Sequence, residues 1–504
     1  MDNLHWTEVN GITTVWTEAP EPLRAALMFR TGRVDEALTT AGHTHLIEHM
    51  ALAEIVDFTQ NSTGFVSDAF TGFGTVGRPE DVNIFFRKVC EGLASLSADR
   101  LEAEKKILLA EAAGRPYNGY GNLLIWRFGA AGYGLAGEPE MGIRGATIEQ
   151  LQARRKQRFT SGNAILWLSG PLPADLRLDL PPGEKQEIPQ LVPIRWTFPS
   201  WHVDDQCGGV AASATVPRLA EGPIFNIIAA KRLREELRNK QAVSYSPTVS
   251  YNPLNADTAH LVFFADSEPS RRAELAKSFG EVFEKLTEIE ENDVEGACKL
   301  YLDHMTGPLA PPHAERLVIE VQRAAMDWLF GMPHETLDQL TEGAYSVNAD
   351  KVRAFAQVVR KNSMFAVPGK TIIEPWMGKK CPISSEEAVD GRKILPVDAP
   401  IKTEWLMVGP EGVSLKFTID QHVTIRYANL VAAVHFDDGG LELVNSDSLW
   451  LRIEPTIWRN GAKVCEEIRR RIPAHLILEQ GPRDQAAIPK PSTTAWQRLR
   501  ASLK

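Results

Sequence analysis

The sequence predicts an α+β protein that consists of two domains of similar plan and a smaller, β-rich module. Strand-like runs alternate with amphipathic helical stretches through residues 1–180 and again through residues 197–395. A Pro-rich stretch, 181–196, separates the two and is typical of a linker. Short strands with turn signals dominate residues 396–480, and residues 481–504, rich in Pro, Ala and Gln, are expected to form a flexible tail.

Composition limits the class of protein. The chain has 504 residues, 43% hydrophobic and 24% charged, which is enough to bury several cores. Its net charge of −10 argues against nucleic acid as a partner, because phosphate binding needs a basic surface. We expect a soluble, cytoplasmic protein, since the five cysteines are scattered without a C-x-x-C pair and the sequence shows neither a signal peptide nor a membrane-spanning run.

The first domain is predicted from five kinds of local pattern. Two strand-like runs at its start are followed by a short histidine-containing helix, a Gly-rich alternating strand, two longer helices and a closing strand. The corresponding residues are 11–16 and 23–30, 42–50, 64–76, 79–96 and 100–111, and 162–170. The helix at 42–50 contains the most informative motif.

His45, Glu48 and His49 form an H-x-x-E-H motif. On a helix, residues four apart lie one turn apart, so both imidazoles share a face with the carboxylate beside them. Catalytic zinc commonly takes two histidines and a third protein ligand, and a nearby carboxylate that is not a ligand can act as general base. The alternative is an ordinary helix with two surface or capping histidines, and a third ligand has to come from elsewhere.

The helix at 100–111 offers that third ligand. Glu104 and Glu111 are seven residues apart and therefore share one helix face. Glu111 is the candidate ligand, and Glu104 is the candidate carboxylate behind the ligands. Each glutamate alone would be explained equally well by a solvated helix face, on which Glu and Lys are common.

Together these residues resemble the insulinase or pitrilysin family of zinc metallopeptidases, which includes the mitochondrial processing peptidases and their bacterial relatives. The resemblance covers roughly residues 10–390. It implies that His45, His49 and Glu111 bind Zn²⁺, that Glu48 is the general base, and that Glu104 supports the site.

The resemblance also implies a substrate-binding edge strand. The family's Asn-Ala-x-Thr segment, which pairs with the substrate backbone, is similar to the stretch that begins at Asp68 and Ala69, with Asp in place of Asn. Asp68 and Ala69 are therefore expected to align an extended peptide.

The second domain repeats the plan of the first and contributes a further pair. A strand at 208–216 precedes a helix that Pro223 opens. Beyond it, Arg238 and Tyr245 match an Arg and a Tyr seven apart that, in the resembling family, hold the scissile carbonyl and the substrate backbone. Such donors would stabilise a developing oxyanion. Alternatively, the arginine only faces a helix C-terminus and the tyrosine packs in a strand.

The C-terminal module is predicted to be a small barrel. Six short strand-like runs are followed by one amphipathic helix at about 462–471, a pattern similar to a pleckstrin-homology-like fold. A packing or docking role is favoured over lipid binding, because no cluster of basic residues marks the module.

We therefore expect a cytoplasmic zinc endopeptidase that hydrolyses short or unfolded peptides, or leader segments, in a closed chamber. The family builds its chamber from four such domains, and this chain supplies two. The resemblance thus implies a homodimer, or a heterodimer with a related subunit. Two alternatives stay open: a non-catalytic or regulatory subunit that needs a partner chain, and an interaction protein that binds through its C-terminal module.

Overall fold

The computed structural model combines helices and sheets throughout, which confirms the α+β class. It describes residues 3–53, 55, 61–192, 194, 197–369, 371–385, 387–397, 404–417, 421–486 and 488–491. Most of the predicted tail, 481–504, lies outside these residues. The described part of the linker, 181–192 and 194, contains neither helix nor strand.

The described residues of the first half form one six-stranded sheet and five α-helices. The strands are β1 (His5–Val9), β2 (Ile12–Trp16), β3 (Leu23–Phe29), β4 (Ser62–Val66), β5 (Thr71–Gly77) and β6 (Ala164–Leu168). The helices are α1 (His43–Leu52), α2 (Pro79–Ser95), α3 (Ala98–Gly114), α4 (Gly119–Phe128) and α5 (Ile148–Arg158). The strand order is β1-β2-β6-β3-β5-β4, and only β2 and β6 run parallel. Strands β1 and β4 are therefore the edges.

In the second half, the part that the structure describes also contains a six-stranded sheet, with six α-helices. The strands are β7 (Ser200–Val203), β8 (Gly209–Pro217), β9 (Thr248–Pro253), β10 (Thr258–Asp266), β11 (Ser363–Val367) and β12 (Lys379–Lys380). The helices are α6 (Glu221–Leu233), α7 (Arg272–Lys285), α8 (Glu291–Met305), α9 (His313–Leu329), α10 (Leu337–Tyr345) and α11 (Ala349–Lys361). A π-helical segment, Arg234–Lys240, continues α6.

The two halves share a topology, as the sequence predicts. The second sheet has the order β12-β7-β11-β8-β10-β9, in which β7 and β11 are parallel and the next three pairs are antiparallel. Strands β2, β6, β3, β5 and β4 therefore correspond to β7, β11, β8, β10 and β9. Among the described strands, the halves differ in the remaining outer strand: β1 is antiparallel to β2, whereas β12 is parallel to β7.

Each half covers a sheet face of the other. Helix α4 of the first half places Leu123 against the second sheet, and helix α9 of the second half places Val318 and Val321 against the first sheet. These side chains are at most 6% exposed, so each sheet has its second face removed from water by a helix of the opposite half. This exchange fixes the two halves to each other.

Where the structure describes it, the C-terminal module contains two four-stranded sheets around its own core. Its elements are β13 (Arg392–Ile394), β14 (Trp405–Val408), β15 (Gly412–Lys416), β16 (His422–Arg426), β17 (Leu430–Phe436), β18 (Leu441–Asn445), β19 (Trp450–Ile453), α12 (Gly461–Arg469) and β20 (Ile477–Gln480). The module begins before the predicted boundary at 396, because β13 pairs with β14. Strand β20 follows α12 and pairs with β17, so the helix is not the last element. The pleckstrin-homology-like assignment stays a prediction.

The helix boundaries follow local signals that the sequence contains. Helix α2 begins at Pro79, where a missing N–H costs nothing, and Ser97 precedes α3. The longest helices of the described residues have 17 residues, and none of them is both long and apolar enough to cross a bilayer.

Candidate metal centre

The structure brings His45, His49 and Glu111 together. Both histidines lie on one face of α1, and Glu111 comes from α3, which packs beside it. The Glu111 Oε2 atom is 4.0 Å from His45 Nε2 and 3.8 Å from His49 Nε2. Ligands of tetrahedral zinc lie about 3.4 Å apart, so small side-chain rotations would close this set around the ion. The two nitrogens and the carboxylate oxygen are a donor set that zinc accepts.

The other imidazole nitrogens face carboxylates. His45 Nδ1 lies 3.0 Å from Glu140 Oε1, and His49 Nδ1 lies 3.4 Å from Glu104 Oε2. A carboxylate at Nδ1 keeps the proton on that atom and leaves the Nε2 lone pair for a metal. The pKa of His49 is lowered by burial and by His45, an effect that Glu104 partly offsets, which favours the neutral imidazole that a ligand requires.

Glu140 is a site residue that the sequence analysis missed. It lies in the loop between α4 and α5, far from the motif in sequence, and its side chain is 7% exposed. Arg115 donates to Glu140 Oε2 (2.9 Å) and to Glu111 Oε1 (2.7 Å), so it links the carboxylate behind His45 to the third candidate ligand. Burial acts to raise the pKa of Glu140, but the His45 hydrogen bond and Arg115 lower it to about 2, so the side chain is ionised.

Glu48 lies beside the candidate ligands without completing the set. Its Oε2 atom is 3.8 Å from Nε2 of both histidines, the same two nitrogens that lie near Glu111 Oε2. Burial raises the pKa of Glu48 to about 7, with the neighbouring carboxylates adding to the effect and His45 opposing it. A carboxylate with this pKa can both accept and return a proton near neutral pH.

The edge strand β4 passes directly over Glu48. A Cβ atom built on Gly64 would lie 1.9 Å from Glu48 Oε1 and 2.5 Å from Leu52 Cδ1. Any side chain at position 64 would therefore displace the carboxylate or the strand. Glycine at this point lets the outer strand approach the candidate base.

The start of α1 is held by buried charge. Glu36 accepts hydrogen bonds from the N–H groups of Gly42 (2.8 Å) and Thr44 (2.7 Å), so a carboxylate caps the positive end of the helix dipole. Gly42 has φ +95° and lies so close to Ile143 and Glu140 that a Cβ there would be 2.6 Å and 2.8 Å from their side chains. The helix that presents the histidines is thus fixed at its N-terminus.

The fold, but not the sequence, matches known proteins. No family model and no curated protein matches the sequence. The first half of the periplasmic protease PqqL from Escherichia coli aligns with a TM-score of 0.59 and 13% identity, over 74% of this chain and 94% of that chain. A protease from Helicobacter pylori aligns with a TM-score of 0.59 and 15% identity, over 72% and 99%. The peptidase M16 inactive domain from Pseudomonas fluorescens aligns with a TM-score of 0.57 and 16% identity, over 74% and 99%.

The chain has the fold of the M16 peptidases. This confirms, at the level of fold, the resemblance to insulinase- and pitrilysin-type proteins. A longer chain of PqqL aligns with a TM-score of 0.61 and 12% identity, over 82% of this chain and 56% of that chain. Because the M16 fold also includes an inactive domain, the fold by itself does not establish catalysis.

The predicted M16-type edge strand lies elsewhere than expected. The segment 64–76 is not one strand: β4 and β5 are separated by a bend that contains Asp68 and Ala69. Both carbonyls are used inside the protein, since Asp68 O accepts from Val34 N–H (2.9 Å) and Ala69 O accepts from Arg30. Among the described residues, the outer strand on this side of the sheet is β4, and Asp68 and Ala69 lie outside it. The pairing of Asp68 and Ala69 with a substrate stays a prediction.

Arg238 and Tyr245 lie together on the surface of the second half. The Arg238 guanidinium is 5.1 Å from the centre of the Tyr245 ring, and Tyr245 is 76% exposed. Arg238 belongs to the π-helical segment after α6, and Tyr245 lies in the loop before β9. Among the described residues, no hydrogen bond or ion pair joins either one to the histidines or to Glu48.

Proposed function

We propose that the protein is a zinc-dependent endopeptidase. The observation that carries this proposal is the combination of a three-residue donor set with Glu48 beside it and β4, the outer strand of the described sheet, passing directly over Glu48. A metal-binding cluster alone would suit many functions. A peptide-binding edge in contact with the base suits hydrolysis of an extended chain.

The proposed mechanism assigns a task to each residue of the site. His45, His49 and Glu111 would hold zinc, which supplies a water of lowered pKa and polarises the scissile carbonyl. Glu48 would accept the proton of the attacking water and deliver it to the leaving amide nitrogen. Glu104 and Glu140 would keep the imidazoles in the required tautomer and orientation.

A substrate peptide would extend the first sheet as an additional strand along β4. Such pairing satisfies the edge N–H and C=O groups and orders the peptide without reading its sequence. Phe65 on β4 is 37% exposed, and its ring packs edge-to-face against Phe70 with the ring centres 5.9 Å apart. Phe65 therefore offers an apolar contact beside the peptide-binding strand. The substrates would be short or unfolded peptides or leader segments.

The pair of Arg238 and Tyr245 supports action in a dimer. Both side chains are exposed, and among the described residues no hydrogen bond or ion pair joins them to His45, His49 or Glu48, so the pair is accessible to the site of another copy. The coverage of 56% of the longer PqqL chain agrees with a chamber that one long chain or two short chains can complete. We favour a homodimer, with a related heterodimer as the alternative. The five free cysteines support a cytoplasmic location.

Cleavage of unstructured peptides by wild type and by Glu48→Gln, with bound zinc quantified in both, tests the proposal. We expect one zinc per chain in both proteins and cleavage only by wild type. A wild-type protein that lacks stoichiometric zinc would refute the assignment.

One alternative has an observation in its favour. A domain of this fold is described as inactive, so the chain could be a non-catalytic or regulatory subunit that shapes the chamber of a partner. Zinc-loaded wild type that cleaves no peptide alone, but gains activity with a related chain, would favour this function.

A further inference from the structure

The C-terminal module packs against the part of the first half that leads to the metal centre. An apolar cluster joins Ala432, Val444 and Leu478 of the module to Leu38, Ala130 and Leu135 of the first half. All six are at most 6% exposed. Leu38 lies just before α1, and the other two belong to the segment 129–142, here called the zinc-side loop. Burial of this cluster holds the loop against the module.

Hydrogen bonds fix the same contact. Ala130 N–H donates to Ser446 O (3.0 Å), and Ser448 Oγ donates to Glu138 Oε1 (2.9 Å). A Cβ on Gly129, which has φ +70°, would lie 2.2 Å from Ser446 O, so the backbones approach as closely as glycine permits. Glu138 is 9% exposed, and a buried carboxyl is costly to leave without this partner.

The other end of the zinc-side loop reaches two of the three candidate ligands. Glu140, two residues after Glu138, contacts His45 directly and contacts Glu111 through Arg115. Gly142 N–H donates to Ala41 O (3.0 Å), which ties the loop to the residue before Gly42 at the start of α1. A movement of the loop would therefore change the orientation of His45 and the support of Glu111 together.

We propose that the C-terminal module positions Glu140, through the zinc-side loop, and thereby sets the zinc affinity of a site that the first half carries. The inference rests on the proposed zinc site and adds a task for the module, which lies outside the predicted peptidase unit. Glu140 and Glu138 are positioning residues, because they act through His45 and Glu111.

Zinc dissociation constants, measured in full-length variants by competition with a chelator, test this proposal. Removing the carboxylate with Glu140→Gln should weaken zinc binding by about 10- to 100-fold, as replacing a carboxylate behind a ligating histidine usually does. Ser448→Ala keeps the Cβ and deletes only the hydroxyl that bonds Glu138, so a loss of about 3- to 10-fold is expected. Leu478→Ala, at the apolar contact, should act in the same direction.

Two controls separate positioning from general damage. Ile468→Ala removes a fully buried side chain of the module's own core and should leave the zinc constant unchanged. Glu138→Gln keeps a hydrogen-bond acceptor for Ser448 and should retain wild-type affinity, whereas Glu138→Ala should not. The visible spectrum of the cobalt(II) protein should change in Ser448→Ala and stay the same in Ile468→Ala.

The outcomes are distinguishable. Wild type that binds no zinc refutes the proposed function itself. Wild type that binds zinc, with constants and cobalt spectra equal in Ser448→Ala, Leu478→Ala and wild type, overturns the inference about the module. The double variant Ser448→Ala with Glu140→Gln should bind zinc no more weakly than Glu140→Gln alone. This non-additivity would show that Ser448 affects zinc binding through Glu140.

Discussion

Replacing Gly64 with alanine should disable the base while the fold survives. A contact between a Cβ and another heavy atom is essentially never shorter than 3.0 Å, and the added Cβ would lie 1.9 Å from Glu48 Oε1, so one of the two must move by at least 1.1 Å. The Glu48 carboxylate is the more mobile partner, because β4 is held by its pairing with β5. A displacement of about 1 Å at a reacting group can cost about 10²-fold in rate, or roughly 2.7 kcal/mol in activation free energy.

The assay compares kcat/KM for one unstructured peptide with zinc content and melting temperature in the same preparations. The matched control is Gly74→Ala on the neighbouring strand β5, where the new Cβ would meet no atom closer than 3.5 Å. We expect Gly64→Ala to keep one zinc per chain and lose about two orders of magnitude in kcat/KM, and Gly74→Ala to stay near wild type. Equal activity in both variants would refute the close approach of β4 to Glu48.

Three further results are expected. Because burial raises the pKa of Glu138 from 4.5 to about 7, the folded state binds its proton more tightly than the unfolded state, and stability should fall as pH rises between these values. Glutamine does not titrate, so Glu138→Gln should become more stable relative to wild type as pH rises. In denaturant unfolding, the difference in unfolding free energy should grow by about 3 kcal/mol from pH 4.5 to pH 8. Mixing the inactive variants Glu48→Gln and Tyr245→Phe should restore about a quarter of wild-type activity if the pair acts across a dimer, and none if it acts within one chain. Glu111→Gln should weaken zinc binding by at least about 10²-fold in a chelator competition, and unchanged affinity would remove Glu111 from the ligand set.

The sequence reveals the parts of the site that depend on local periodicity. His45, Glu48 and His49 follow from the geometry of one helix, and Glu104 and Glu111 from another, because side chains at helical spacing share a face whatever the rest of the chain does. The repeat of strand and helix signals likewise predicts two halves of similar plan, which the shared sheet topology confirms.

Other parts depend on contacts between distant segments and leave no local pattern. Glu140 lies in a Gly-rich loop with no periodicity, and only the tertiary fold brings it to His45. The bend at Asp68 was missed because the alternation of 64–76 continues through it, whereas buried hydrogen bonds from Val34 and Arg30 hold the turn. Hydrophobic periodicity shows that a face is buried but not which element covers it. It therefore predicts neither the packing of α4 and α9 on the opposite sheets nor the packing of the module on the zinc-side loop.

The central claim is that His45, His49 and Glu111 form a zinc centre. X-ray absorption at the zinc edge of the purified protein tests it most directly, because the spectrum reports the number and type of ligands. We expect one zinc per chain with two imidazole nitrogens and oxygen ligands, at about 2.0 to 2.2 Å. Zinc that is absent, substoichiometric or bound by sulfur would contradict it.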